Sequence, residues 1–178
     1  RDAAAIHHHY DVSNDFYELV LGPAMVYSCA LWDDPRAGLD AAQWAKMELI
    51  CQKLALRPGL RLLDIGCGWG SLVRHAARHH GVDAVGITIS AEQAAWARRQ
   101  VVADGVGDRV EIRVQDYRDV HDGPFDAVSS VGMFEHVGSA HYLEYFTKVK
   151  ELLADDGVML LHSIGRMEPP GGTNTWLR

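Results

Sequence analysis

The chain has 178 residues, 48% of them hydrophobic, enough for one globular domain with a substantial core. Its 17 Lys and Arg against 24 Asp and Glu give a formal charge of -7. No basic stripe runs along it, which excludes a nucleic-acid partner. The three cysteines, Cys29, Cys51 and Cys67, include no CxxC pair. That argues against a disulfide framework or a zinc cluster, so no metal is expected, and it favours a reducing cytosol. No run reaches the ~18 apolar residues of a spanning helix. The N-terminus lacks the basic-then-apolar order of a signal peptide.

Residues 1–57 read as a helical segment without a clear strand, and 58–178 as a second unit. In the first, "DAAQWAKMELICQKLAL" (40–56) carries apolar residues at helical spacing and stops at "RPG". In the second, "RLLDIG", "DAVGITI", "VEIRVQD", "FDAVSSVG" and "VMLLHSIG" are five short apolar runs. Helical stretches at Ser71–His80, Ala91–Ala103 and His141–Leu153 separate the first three and the last two. Only "YRDVHDGP" looks too short for a helix. Such alternation predicts an α/β fold with a parallel sheet covered on both faces.

"LLDIGCGWGSL" ends the first strand with Asp64 and follows it with Gly66, Cys67, Gly68 and Gly70. Glycines let the backbone turn sharply and approach a ligand, and the next helix offers free N–H groups. A dinucleotide loop reads G-x-G-x-x-G. Here the third glycine comes one residue early and an acid leads, which favours S-adenosylmethionine over NAD. Alone, the loop is also compatible with a plain structural turn. The second strand ends in "ITIS" without the usual ribose-binding acid, so Thr88 or Gln93 must supply the polar contact. "VQDYRD" ends the third strand with Asp116, suited to an adenine amine, and Tyr117, suited to an adenine face.

"HYDVSNDFY", "YSCALW", "LLDIGCGWG", "GITISAEQ", "QDYRD", "VGMFEHVG" and "LLHSIG" occur in this order from His9 to about Trp176. Together they resemble the cyclopropane-fatty-acyl-phospholipid synthases and mycolic acid cyclopropane synthases, with "QDYRD" and "VGMFEHVG" closer to the phospholipid-acting branch. The resemblance implies a Rossmann-like class I methyltransferase with a seven-stranded sheet. This chain accounts for five of those strands, so a C-terminally truncated chain is expected. Residues 1–57 would form a lid over cofactor and substrate.

By the same resemblance, Tyr27, Ser28, Gly66, Gly68, Thr88, Ile89, Gln93 and Tyr117 contact the cofactor. Cys29 (chiefly through its backbone), Glu135 and His162 hold a bicarbonate ion beside the reacting carbon, with the backbone near Val131. The implied reaction adds a methylene across the cis double bond of an unsaturated phospholipid acyl chain. Peripheral membrane contact follows from that substrate, and a homodimer remains open.

That chemistry needs a positioned methyl donor, walls that stabilise a cation without water, and a base. Phe16, Tyr17, Phe134, Tyr142, Tyr145 and Phe146 are candidate walls, each also a natural core residue. Glu135 follows the fourth strand at its C-terminal end, the edge where open α/β sheets bind ligands. Its expected place is the reactive end of the cofactor, although an acid at a helix start would read the same way. His136 is expected to be a structural hydrogen-bonding residue. Three readings compete: a lipid C-methyltransferase leaving a methyl branch or an exocyclic methylene, a small-molecule N-methyltransferase of the same architecture, and a cofactor-binding fragment without turnover.

Overall fold

The computed structural model describes residues 13–165. The start of "HYDVSNDFY" and the part of the resemblance after Gly165 lie outside them. Two helices come first, α1 (Asn14–Leu21) and α2 (Leu39–Lys53). Ser13 caps α1 by accepting from the Phe16 amide at 3.3 Å.

Five strands alternate with helices after that: β1 (Arg61–Ile65), α3 (Ser71–His80), β2 (Asp83–Thr88), α4 (Ala91–Ala103), β3 (Val110–Val114), β4 (Phe125–Val131), α5 (Tyr142–Leu152) and β5 (Leu153–His162). The spans of α3 and α4 are those the sequence predicts, because both have clear end signals. Ser90 accepts from the Gln93 amide to start α4, and left-handed Gly81 ends α3. Between β3 and β4 stands only a 3-10 turn, Tyr117–Asp119.

The sheet order is β3-β2-β1-β4-β5 and every pairing is parallel. Consecutive strand residues point to opposite faces. Leu62, Ala84, Ile112 and Ala127 therefore pack with Cys51 of α2, Val73 and Ala76 of α3, and Ala97 of α4. Leu63, Val85, Ile87 and Val128 pack on the other face with Phe125 and with Tyr145, Val149 and Leu152 of α5. Two buried faces explain why the strands read as apolar runs rather than alternating ones.

The fifth strand departs from expectation. The sequence places its start near Val158, whereas β5 begins at Leu153. The register shifts between Phe125↔Leu153 and Ala127↔Val158. "DDG" (155–157), which reads as a loop, is absorbed into an irregular but extended stretch of the ladder.

The N-terminal helix docks through aromatics. Tyr17, Leu21 and Met25 form a third core cluster with Trp69 of the glycine loop and Trp96 of α4. Trp69 Nε1 donates to Asn14 Oδ1 at 2.8 Å. The Ser71 hydroxyl donates to the Ala24 carbonyl. The loop is thereby held from above by the segment that precedes α2.

Candidate active site

β1 is flanked by β2 on one side and β4 on the other, so the connections leaving β1 and β4 diverge and open a crevice at their C-terminal ends. The cleft there encloses about 1510 Å³, its open mouth included. Residues 25–28, α2, the glycine loop and the ends of β2, β3 and β4 form its walls.

Gly66 and Cys67 donate their amides to the Ile87 carbonyl at 3.0 and 2.9 Å, folding the loop back over β2. Gly66 has φ +81° and Gly68 φ +56°, the left-handed region that suits glycine. A side chain at Gly66 would strike Met133, with Cβ and Cγ both 2.8 Å away. Around Gly68 nothing lies within 4 Å. Its Cα borders the open cleft, where a ligand can approach the backbone. Gly70, expected to line the cofactor site, does not border the cleft. It starts α3, and an added Cβ would meet Ala97 Cβ at 3.0 Å, so its smallness serves helix packing.

Asp64 is buried at the end of β1 and accepts from Ser129 Oγ at 2.7 Å. Burial pushes its carboxyl up to about 6, against the opposing pull of Ser129 and Lys46. Lys46 of α2 is buried in the same wall and donates to Ser28 Oγ. Burial lowers its ammonium, while Cys29 and Asp64 hold it charged. Sequence reading missed Lys46, yet a signal exists. With Gln43, Met47, Ile50 and Cys51 it belongs to the buried stripe of α2, and a cation on an apolar stripe needs a reason.

Asp64 also yields a stability prediction. A raised carboxyl stabilises the fold while protonated, and this contribution is present below the unfolded pKa near 3.9 and lost as pH rises through about 6. Above pH 6 the native state carries a cost of roughly 2–3 kcal/mol from this group. Asp64→Asn should recover about 1–2 kcal/mol of it above pH 6, the Lys46 attraction being already contained in the net shift and the remainder offset by the N–H donors that the buried side-chain amide introduces. Below about pH 4 the gain should vanish. Urea unfolding of both proteins across pH 4–8 checks this.

At the next strand end, Thr88 Oγ1 donates to Gln93 Oε1 at 2.9 Å and accepts from the Ser90 amide at 3.2 Å. Both expected polar residues, with Ile89, thus form one bonded unit in the wall. Asp116 caps the Tyr117–Asp119 turn, accepting from the Arg118 amide at 2.9 Å and from its guanidinium at 2.9 and 2.6 Å. That pairing holds the Asp116 carboxyl below its ordinary range. Tyr117 borders the cleft beside it, as do Tyr27 and Ser28 on the opposite wall.

Cys29, Glu135 and His162 do not border the cleft themselves. They stand immediately behind residues that do, Ser28 and Val131–Gly132. Cys29 Sγ lies 3.4 Å from His162 Nε2. The Gly132 amide donates to the His162 carbonyl at 2.9 Å, and Glu135 Oε1 accepts from the Ile164 amide at 2.6 Å. His162 Nδ1 is enclosed and has no hydrogen-bond partner among the described residues. Such a buried, unmatched nitrogen fits a small hydrogen-bonding anion.

Two expectations need correction. His136, expected to make a structural hydrogen bond, borders the cleft, and its ring makes none among the described residues. None of the six candidate aromatic walls borders it. Tyr17 and Tyr145 are core residues, Phe134 stacks on Tyr142 at 4.4 Å and packs on Phe146, and Phe16 is exposed. The aromatic wall is instead Tyr27, Trp69 and Tyr117.

The family description of mycolic acid cyclopropane synthetase matches residues 1–175. The chain belongs to that family. It is 54% identical over 166 residues to a probable fatty acid methyltransferase of Mycobacterium tuberculosis, covering 93% of this chain and 39% of that protein. It is 47% identical over 169 residues to the cyclopropane-fatty-acyl-phospholipid synthase of Escherichia coli K12, covering 95% and 43%. The chain thus spans about two-fifths of these curated relatives. The crystal structure of the mycolic acid cyclopropane synthase CmaA1 complexed with SAH and CTAB superimposes with a TM-score of 0.84 at 38% identity, over 89% of this chain and 55% of that one. The five-stranded sheet with flanking helices is therefore the class I methyltransferase fold.

Proposed function

We propose that the chain binds S-adenosylmethionine in this cleft and takes part in methylene transfer to the cis double bond of an unsaturated phospholipid acyl chain. The observation that carries the reading is the glycine cradle: Gly68 borders an open cleft between a buried Asp64 and the Thr88–Gln93 and Asp116–Tyr117 pairs. Those groups suit, in order, the amino-acid end, the ribose and the adenine of the cofactor. Tyr27 and Ser28 complete the opposite wall, and Lys46 fixes the Ser28 hydroxyl.

When bound, S-adenosylmethionine supplies an electrophilic methyl group and bicarbonate supplies a base. Cys29, Glu135 and His162 suit the anion, since His162 Nδ1 lacks a partner among the described residues and Glu135 is a carboxylate able to accept a hydrogen bond from the anion's hydroxyl. Met25, Val26, Met47, Ile50 and Leu72 form an apolar flank of the cleft that suits an acyl chain and excludes water. Residues 25–50 thereby act as a lid. Phe16, Leu19 and Val20 of α1 are exposed apolar side chains, which supports peripheral contact with a bilayer. No described helix is long and apolar enough to cross one.

The test combines calorimetric titration of the chain with S-adenosylmethionine and mass spectrometry of unsaturated phospholipid vesicles incubated with both. Binding, with acyl chains that gain one methylene and resist mild hydrogenation, is expected. Failure to bind ends the reading. Binding without product limits the chain to cofactor binding.

A further inference from the structure

Beside the cleft-lining residues of α2, Glu48 and Cys51 of that helix face His75 and His80 of α3. We propose that Cys51, His75 and His80 form a binding site for a divalent cation of the zinc class, clamping α2 to α3, with Glu48, which already bonds both histidines, drawn in as the fourth donor. Cys51 Sγ and one ring nitrogen of each histidine all lie within 4.8 Å of one another. The Nε2 atoms of His75 and His80 lie 3.1 and 3.0 Å from the same Glu48 oxygen, Oε2. One sulfur, two imidazole nitrogens and one carboxylate oxygen are the donors zinc selects. In a tetrahedral zinc site donors stand about 3.3–3.8 Å apart, so on binding Cys51 closes on the two histidines while Glu48 gives up its hydrogen bonds to them and turns its carboxylate to the metal.

The surroundings have the form of a metal site. Gln52 Nε2 donates to the other Glu48 oxygen at 3.0 Å, and the Trp44 ring packs edge-on to His75 at 5.4 Å, so donor atoms are oriented from behind. Cys51 and His75 are buried, while Glu48 and His80 keep partly exposed side chains and leave an entry path. Binding balances charge: the Cys51 thiol releases its proton to solvent, and thiolate plus carboxylate neutralise the dication. Each imidazole carries its proton on Nδ1 and presents Nε2. None of the four borders the cleft, and no CxxC spacing announces them. The site nonetheless joins the helix that carries Lys46 to the helix that the glycine loop begins.

The test is cobalt titration of the chelator-stripped chain carrying His7→Asn, His8→Asn and His9→Asn, which removes an adventitious cobalt ligand. One equivalent should give a thiolate-to-cobalt charge-transfer band in the near ultraviolet and the intense visible bands of a four-coordinate site. Zinc should displace cobalt and raise the melting temperature. Cys51→Ser should lose the charge-transfer band, Cys29→Ser should keep it, and His80→Gln should weaken binding at least tenfold. Absence of the band in the parent, or its persistence in Cys51→Ser, overturns the proposal. Cys51→Ser is read beside His80→Gln because Cys51 is buried. A His80→Gln protein with the parent circular dichroism and undiminished cobalt affinity overturns it as well.

Discussion

Glu135→Gln should leave S-adenosylmethionine affinity unchanged while lowering methylene transfer by about 10²–10⁴-fold. The substitution separates two roles of one side chain. Glu135 Oε1 accepts from the Ile164 amide at 2.6 Å, tying the loop after β4 to the end of β5. Glutamine keeps a carbonyl oxygen for that bond and nearly the same volume. What it loses is the negative charge and one acceptor, the features needed to hold and orient a base. A residue that only tethers the loop would tolerate the change. Transfer of a radiolabelled methyl carbon into unsaturated vesicles, measured beside calorimetric cofactor binding, checks this. An undiminished rate would assign Glu135 to the tether alone.

Gly68→Val should weaken S-adenosylmethionine binding by about 100-fold or more while the protein still folds. No atom within 4 Å opposes a new Cβ, so the side chain meets no core residue. It does meet the cleft, and it forces a β-branched residue to φ +56°. That backbone strain costs about 1–2 kcal/mol of fold stability, in the free and the bound protein alike. The affinity falls because the branched side chain stands where the ligand must approach the loop, and some 3 kcal/mol lost there corresponds to about two decades. The melting temperature should fall by only a few degrees. Calorimetry of the variant, with thermal unfolding as the control for folding, decides. Affinity within threefold of the parent would mean that the loop does not cradle the ligand.

The α/β alternation was readable because its cues are local. Strands buried on both faces are short apolar runs, and α3 and α4 carry end signals in Gly81 and Ser90. The glycine loop, Thr88, Gln93, Asp116 and Tyr117 were readable because the ends of parallel strands fall on one edge. Features set by long-range packing were not. Lys46 lies in an ordinary helical pattern, and only the docking of α2 turns it toward Asp64. The six aromatics were chosen by type, and type does not say which face of α1 or α5 is buried. Gly70 shares a motif with Gly68 but answers to Ala97 on a different helix. The start of β5 was misplaced because an irregular ladder can hold "DDG" extended, and composition carries no cue for that.

Among the described residues, β5 is hydrogen-bonded on one side only, by β4. Its other row of amides and carbonyls is a template for a further strand, and Val158, Leu161 and Ile164 present exposed apolar side chains along it. Asp155 and Asp156 repel like neighbours only over the first half of the strand. In a concentrated preparation, two copies can therefore zip together along residues 158–162. Light scattering would register that as a dimer. A lysine at position 161 would keep such preparations monodisperse without touching the cleft.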